Sequence, residues 1–478
     1  GSAPGFDGYS DDILYLADNL VQLTASRTIV DQDGDTSTAS SQIDLGGNIS
    51  FTDVGPTIAL STIGDQPSLI VDETDLSVNA IKNFAGNFEQ SAVFGADGSG
   101  GITTTYSLGI TSASSGLKDV ATGLPIILVN NNGTIEGHVG TAAGDLAFTV
   151  SSTNTGDVIL DQIRALTHPD ANNPDDTVDL GSYVTFTRTD VITDRDGDSS
   201  QSSAQLTIGS SLIFKDDGPT ARLAVMDNLA TAEVDGALRP QLLVDETVGT
   251  AAPGNVTGSD NAGDRVSSAD FSVYFANGKD ATTTADDVQY GADGKGSVNY
   301  AVLLQDALGN DITSGVGSGL YGILNGAKTG EIMLSQNGSV IEGKAGGTTF
   351  FTIEVNADTG FITLTEKAGQ DGTQLSIWHP LGGEDNANDI VALTGQSAGG
   401  SASTYAINLQ QTVTDADGDT SALKVNLAAD QDPGTGKYYA LSFADDGPTA
   451  SLAVMDNLAT AEVDGALRPQ LLVDETVG

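Results

Sequence analysis

Tyr183-Val184-Thr185-Phe186-Thr187-Arg188-Thr189, followed shortly by Asp194-Arg195-Asp196-Gly197-Asp198-Ser199, is the stretch from which the fold is read. The first part largely alternates polar and apolar side chains and is rich in β-branched and aromatic residues, the period-two signature of a strand with one buried face. The second part is an Asp/Gly turn whose glycine permits a tight reversal. The same texture extends outward through Ile102–Ile110, Ala147–Ser152, Ser297–Leu304, Phe350–Asn356 and Phe361–Glu366, punctuated by Asn-Gly, Asp-Gly and Gly-Gly pairs. Helical periodicity is weak; only Asp227–Asp235 reads as one or two turns of helix. The expectation is an all-β chain of antiparallel β-sandwich modules in tandem.

The turn motif recurs. Asp31-Gln32-Asp33-Gly34-Asp35-Thr36 and Asp415-Ala416-Asp417-Gly418-Asp419-Thr420 match Asp194–Ser199. Each is followed by a junction: Phe51-Thr52-Asp53-Val54-Gly55-Pro56-Thr57, Phe214-Lys215-Asp216-Asp217-Gly218-Pro219-Thr220 and Phe443-Ala444-Asp445-Asp446-Gly447-Pro448-Thr449. After each junction comes an acidic strand start, Val71-Asp72-Glu73-Thr74, Val244-Asp245-Glu246-Thr247 or Val473-Asp474-Glu475-Thr476. Between them Phe94-Gly95-Ala96-Asp97-Gly98 answers Tyr290-Gly291-Ala292-Asp293-Gly294. Ile135-Glu136-Gly137 likewise answers Ile341-Glu342-Gly343, and His168-Pro169 answers His379-Pro380. Asp216–Gly249 recurs almost unchanged at Asp445–Gly478, with Arg222 against Ser451 as the single difference. The chain therefore divides into the tail of one repeat (1–55), a complete repeat (56–218), a longer complete repeat with insertions (219–447) and the start of another (448–478). On this pattern it reads as an excerpt of a longer array, and Gly1-Ser2 as a cloning remnant.

Composition narrows the function. Sixty-five acidic against 18 basic residues give a net charge of -47, whose self-repulsion opposes compaction unless counter-cations bind at defined places. A phosphate backbone or an anionic membrane surface is repelled, and no apolar run of about 18 residues exists, so neither nucleic acid nor membrane insertion is expected. The absence of cysteine removes thiol catalysis, disulfides and thiolate-bound zinc together. Paired carboxylates also suit a glycosidase, but these come in tandem copies and the chain has one tryptophan, Trp378, to stack against sugar. His138, His168 and His379 are few and scattered, and the His-Pro pairs read as strand-end packing. No phosphate-binding glycine loop or nucleophile elbow is present. The expectation is a protein that is not an enzyme.

Calcium takes six to eight oxygens from carboxylates, carbonyls and water. In Asp-x-Asp-Gly-Asp the first, third and fifth side chains can converge on one ion, which makes Asp31, Asp33, Asp35, Asp194, Asp196, Asp198, Asp415, Asp417 and Asp419 candidate ligands. The loop differs from a helix-loop-helix calcium site, because its glycine is fourth and position twelve is Gln42, Gln205 or Asn426. Without a cation the same loops are plain hairpin turns. The junction pairs Asp216/Asp217 and Asp445/Asp446 form a second candidate set, closed across the boundary by the following Asp245/Glu246; Asp72/Glu73 is the corresponding pair of the first complete repeat. Facing carboxylates repel, and a divalent ion between them turns repulsion into a lock. At the first junction Val54 replaces the second aspartate, so weaker binding is expected there.

Taken in order, Asp-x-Asp-Gly-Asp-x-Ser/Thr, Phe-x-Asp-Asp-Gly-Pro-Thr, Val-Asp-Glu-Thr, Gly-Ala-Asp-Gly and Ile-Glu-Gly resemble the tandem extender repeats of giant repeats-in-toxin (RTX) adhesins exported by bacterial type I secretion. The Gly-Gly-x-Gly-x-Asp nonapeptide array of that secretion class is absent. The resemblance implies immunoglobulin-like modules in an elongated array, secreted to the bacterial cell surface. Calcium would be their cofactor and neighbouring repeats their partners, the array projecting an adhesive tip for biofilm formation or host attachment. Surface glycans or proteins would be met by other regions. The alternative function is a glycan- or protein-binding module, with Trp378, Tyr438 and Tyr439 as the aromatic patch; a self-assembling surface lattice is a third.

Overall fold

The computed structural model describes residues 13–223, 240–245, 264–275, 290–369, 375–380, 390–399, 404–428 and 439–444. It also gives the backbone of short strands at 233–234, 237–238, 255–257, 462–463 and 466–467. Among these residues there are strands, turns and short 3-10 turns and no α-helix, so the chain is all-β as its alternation requires. Most of Asp227–Asp235 lies outside the described residues; Glu233–Val234 within it is strand. The chain forms two compact units. The first comprises 1–220 with 289–297 and 413–421; the second comprises 221–288, 298–412 and 422–478.

In the first unit an antiparallel six-stranded sheet runs in the order Ser114–Lys118, Pro125–Asn131, Thr134–Val139, Leu146–Ser152, Asp157–Gln162, Ala80–Asn83. A separate three-stranded sheet places Val184–Asp194 between Ser99–Ile110 and Ser199–Thr207. Their apolar faces meet in a dry core that includes Phe84, Leu108, Ile126, Phe148, Val158 and Phe186. Tyr106 stacks on Phe186 at 5.3 Å between ring centroids. The Ile-Glu-Gly motif has a packing role here. Ile135 is fully buried, and Gly137 lies opposite Phe148, whose ring would be 2.5 Å from a Cβ on the glycine. Gly343 lies under Phe351 in the same way in the longer repeat, at 2.4 Å. Glycine there gives the aromatic ring a place against the backbone of the neighbouring strand.

The element that positions the site is a parallel pair. Leu69–Asp72, which opens the repeat, pairs in parallel with Leu212–Lys215, which closes it, with Asp72 opposite Lys215. Parallel strands end at the same edge, so the next residues, Glu73 and Asp216, emerge side by side. In the second unit Leu242–Asp245 pairs in parallel with Leu441–Ala444 in the same manner, Asp245 opposite Ala444. That unit also has an eight-stranded sheet from Asn255–Thr257 to Leu375–Trp378 and a core built on Phe271, Tyr300, Phe350, Phe351, Tyr405 and Phe443.

Candidate metal centre

The three Asp-x-Asp-Gly-Asp loops share one construction. Each joins two antiparallel strands, and its glycine adopts a left-handed φ: +99° at Gly34, +113° at Gly197 and +119° at Gly418. The first aspartate uses one oxygen to hold the turn. Oδ1 of Asp194 accepts from the amides of Gly197 (3.2 Å) and Asp198 (2.8 Å), and Oδ1 of Asp415 from those of Gly418 (3.0 Å) and Asp419 (2.7 Å). Asp31 accepts from Asp35 at 2.9 Å. The other oxygen is thereby aimed away from the backbone, toward the side chains of the third and fifth positions.

What surrounds the loops differs. Asp31, Asp33 and Asp35 bring their oxygens together in solvent. Asp194, Asp196 and Asp198 meet Asp53 of the first junction and Asp97 of the Gly-Ala-Asp-Gly loop, forming two overlapping triads, Asp53/Asp196/Asp198 and Asp97/Asp194/Asp196. Asp415, Asp417 and Asp419 lie with the densest group: Asp216 and Asp217 of the second junction, Glu73, His168 and Asp293. All of these belong to the first compact unit. Within it Glu73/His168/Asp216 and Glu73/Asp217/Asp293 each place their ligand atoms within 4.8 Å of one another.

The second cluster is buried and short of donors. Glu73 is 2% exposed; its Oε1 accepts from Gln162 Nε2 (2.6 Å) and the Leu166 amide (3.0 Å), while Oε2 has no donor. Asp216 is 1% exposed and neither carboxylate oxygen accepts a hydrogen bond; the same holds for Asp293. Asp415 Oδ2, Asp417 Oδ1 and Asp419 Oδ2 are also buried without donors, as are Asp194 Oδ2 and Asp198 Oδ2 in the first cluster. Buried polar atoms are nearly always paired, and an unpaired buried carboxylate costs far more than a neutral group. So many orphaned oxygens in one place suit the donor set of a hard cation.

Protonation responds accordingly. Burial, reinforced by Asp417 and Asp293, pushes Asp216 up to about 10. Burial does the same to Glu73, to about 9, to Asp293, to about 8, and to Asp415, to about 7. In the first cluster burial and the neighbouring Asp53 raise Asp198 to about 6. With no metal Asp216, Glu73 and Asp293 hold protons near neutrality; a divalent ion would replace those protons.

Several sequence expectations are redirected. Asp72 does not join the cluster: its Oδ1 caps the turn at Thr74 (3.0 Å), and its Oδ2 pairs with Lys215 at 3.1 Å. Its neighbour Glu73 joins instead. Among the described residues the junction acids Asp216 and Asp217 are met by Glu73 of their own repeat and by Asp293. Asp245 ends a strand of the second unit, and Glu246, Asp445 and Asp446 lie outside the described residues. Asp97, Asp293 and His168 were not among the expected ligands. Their signal was the alignment of Gly-Ala-Asp-Gly and His-Pro between repeats. Gly291, at φ +70°, packs on Asp217, where a Cβ would lie 2.6 Å from the carboxylate, and the Ala292 amide donates to Asp217 at 3.0 Å. Gly95, at φ +77°, packs instead on the backbone carbonyl of Val54.

The aromatic patch is occupied from within. The Lys328 ammonium sits 3.0 Å from the Trp378 ring centroid, and Tyr321 meets that ring edge-on. Tyr438 lies outside the described residues. No helix among the described residues is long and apolar enough to cross a membrane.

The chain belongs to the family described as "Domain of unknown function (DUF5801)", which matches residues 68–207 and 241–428, one stretch in each complete repeat. No curated protein is significantly similar in sequence. Solved structures with some likeness include the extracellular cadherin domains 1–5 of protocadherin gamma B2, at 10% identity over 92% of this chain and 74% of that one, with a TM-score of 0.18. Another is a Ca2+-stabilized adhesin with which an Antarctic bacterium binds ice, at 11% identity over 89% and 81%, with a TM-score of 0.14. Likeness at these scores decides nothing about function, which rests on the clusters themselves.

Proposed function

We propose that this chain is a non-catalytic, calcium-stiffened extender segment of a large secreted bacterial surface adhesin. In this reading tandem repeats, bounded as 56–218 and 219–447, carry an adhesive tip outward from the cell. The observation that carries it is the second cluster. Its carboxylates, most of them with a buried oxygen that no donor meets, come from two successive sequence repeats: Glu73, Asp216 and Asp217 from one, Asp293, Asp415, Asp417 and Asp419 from the next. An ion held by such a set ties loops of one repeat to the end of the previous one, which is what a spacer needs and a solvated acidic surface does not.

Calcium ligands in this proposal are Asp194, Asp196, Asp198, Asp53 and Asp97 in the first cluster and the seven carboxylates above in the second; Asp31, Asp33 and Asp35 form a separate, solvent-exposed loop. Ion binding adds to folding free energy only where the ion is present. An acidic chain can thus stay extended in a calcium-poor cytosol and fold outside, in keeping with the type I export and extracellular site that the repeat motifs suggest. Thermal unfolding and solution scattering in millimolar calcium, repeated in chelator, test the proposal. A strong rise in melting temperature together with a stiffer scattering envelope supports it. Indifference of both to calcium refutes it.

A further inference from the structure

Oxygen ligands do not account for everything in the second cluster. His168 is 4% exposed, and its ring is fixed between three oxygens. Nδ1 lies 2.9 Å from the Leu166 carbonyl and 3.3 Å from Asp216 Oδ1; Nε2 lies 3.3 Å from the Phe214 carbonyl. A neutral imidazole has one N–H, so one of its two nitrogens must present a lone pair to an oxygen lone pair. That arrangement is repulsive unless a proton, on the ring or on Asp216, or a metal cation in its place stands on one side. On the Nε2 side there is one carbonyl, a normal acceptor for N–H. On the Nδ1 side are the Leu166 carbonyl and Asp216; Glu73, whose Oε2 is buried and donor-less, brings an oxygen within 4.8 Å of Asp216 and of the ring. The open position is therefore at Nδ1.

We propose that Glu73, His168 and Asp216, with the Leu166 carbonyl, form a distinct subsite for a first-row transition ion such as zinc or manganese, beside the all-oxygen calcium positions of the same cluster. Imidazole nitrogen suits zinc and its neighbours, whereas calcium takes oxygen. The spacing agrees. Two ligands each about 2.1 Å from an ion, at angles between octahedral and tetrahedral, lie roughly 3.0–3.4 Å apart. Of the observed separations around Nδ1, 3.3 Å lies within that range and 2.9 Å just below it. The Nε2–H would then donate to the Phe214 carbonyl, the outer contact that fixes the tautomer of a metal-bound histidine. The first cluster has no histidine among its described members, so its positions remain oxygen-only.

This inference rests on the cluster being a cation site, and its test separates the two. The intact chain is saturated with millimolar calcium and titrated with zinc chloride by calorimetry. Manganese is then bound and examined by pulsed electron paramagnetic resonance for nitrogen modulation. Expected are one zinc ion per chain that calcium does not displace and a nitrogen signal in the manganese sample. In His168→Asn zinc affinity should fall about tenfold or more while the calcium-induced rise in melting temperature persists. His138→Asn is the control and should leave zinc binding unchanged. Zinc binding that survives His168→Asn, or zinc fully displaced by calcium, overturns the subsite while leaving the calcium reading standing. A chain stabilised by neither metal overturns both.

Discussion

The two junction clusters are built from the same motifs and differ in what closes them. In the first, Asp194–Asp198 meet Asp53 and Asp97, and Asp53, Asp97 and Asp196 keep contact with solvent. In the second, the equivalent loop meets Asp216, Asp217, Asp293 and also Glu73, and most of the acids are buried. Val54 stands where the second cluster has Asp217. One Asp-x-Asp-Gly-Asp turn motif therefore occurs in three settings, from the solvated Asp31–Asp35 loop to the largely buried Asp415–Asp419 loop. Ligand geometry is set locally by the turn; the need for a cation is set by burial, which the turn does not control.

The difference appears most strongly in the dependence of stability on pH in chelator. Each raised carboxyl binds its proton more tightly in the folded than in the unfolded state, so stability falls as pH rises from the group's ordinary value to its folded one. For Asp198 that window runs from 3.8 to about 6, and for Glu73 from 4.5 to about 9. Urea unfolding in chelator should thus show the protein weakening from pH 4 through 8, with the second cluster responsible above pH 6. Glu73→Gln should flatten the upper part of the profile, and Asp198→Asn only the lower part. In saturating calcium the decline should disappear, because ion binding favours the deprotonated form.

A smaller effect comes from making the first cluster resemble the second. Val54→Asp adds a carboxylate against the Gly95 loop and should strengthen calcium binding at that junction by about tenfold, or roughly 1.4 kcal/mol, readable by calcium titration. The smallest effect belongs to the isolated loop. Asp33→Asn removes a fully exposed acid and should shift stability by less than about 0.5 kcal/mol in calcium or chelator. A large loss there would mean that burial is not what distinguishes the loops.

Much of this was legible in the sequence for definite reasons. Strands such as Val184–Asp194 and Phe361–Glu366 announce themselves because one face is buried and the other wet, and the turns because Gly34, Gly197 and Gly418 occupy a conformation that favours glycine. The acidic loops were visible as candidates. The closing partner was not. Choosing Glu73 over Asp72 depends on the parallel register that sets Asp72 opposite Lys215, and no local pattern encodes a pairing between residues so far apart in the chain. Asp97 and Asp293 sat in a motif used only to align repeats, and their role follows from Gly95 and Gly291 packing on the junction. His168 looked like strand-end packing, and one of its nitrogens does face the Phe214 carbonyl; the other faces the cluster.

The account turns on Asp216, buried with both oxygens donor-less among like charges. Thermal unfolding of wild type and Asp216→Asn, each in calcium and in chelator at pH 8, tests it most directly. The account predicts opposite signs. In chelator at pH 8 Asp216, pushed up to about 10, must take up a proton on folding, a cost asparagine does not carry, so the variant should melt higher than wild type. In calcium it lacks a ligand and should melt lower, by an amount corresponding to about 2.7 kcal/mol where calcium stands at a hundred times its Kd and the site is lost. A variant that shifts in the same direction under both conditions would contradict a cation site at the junction.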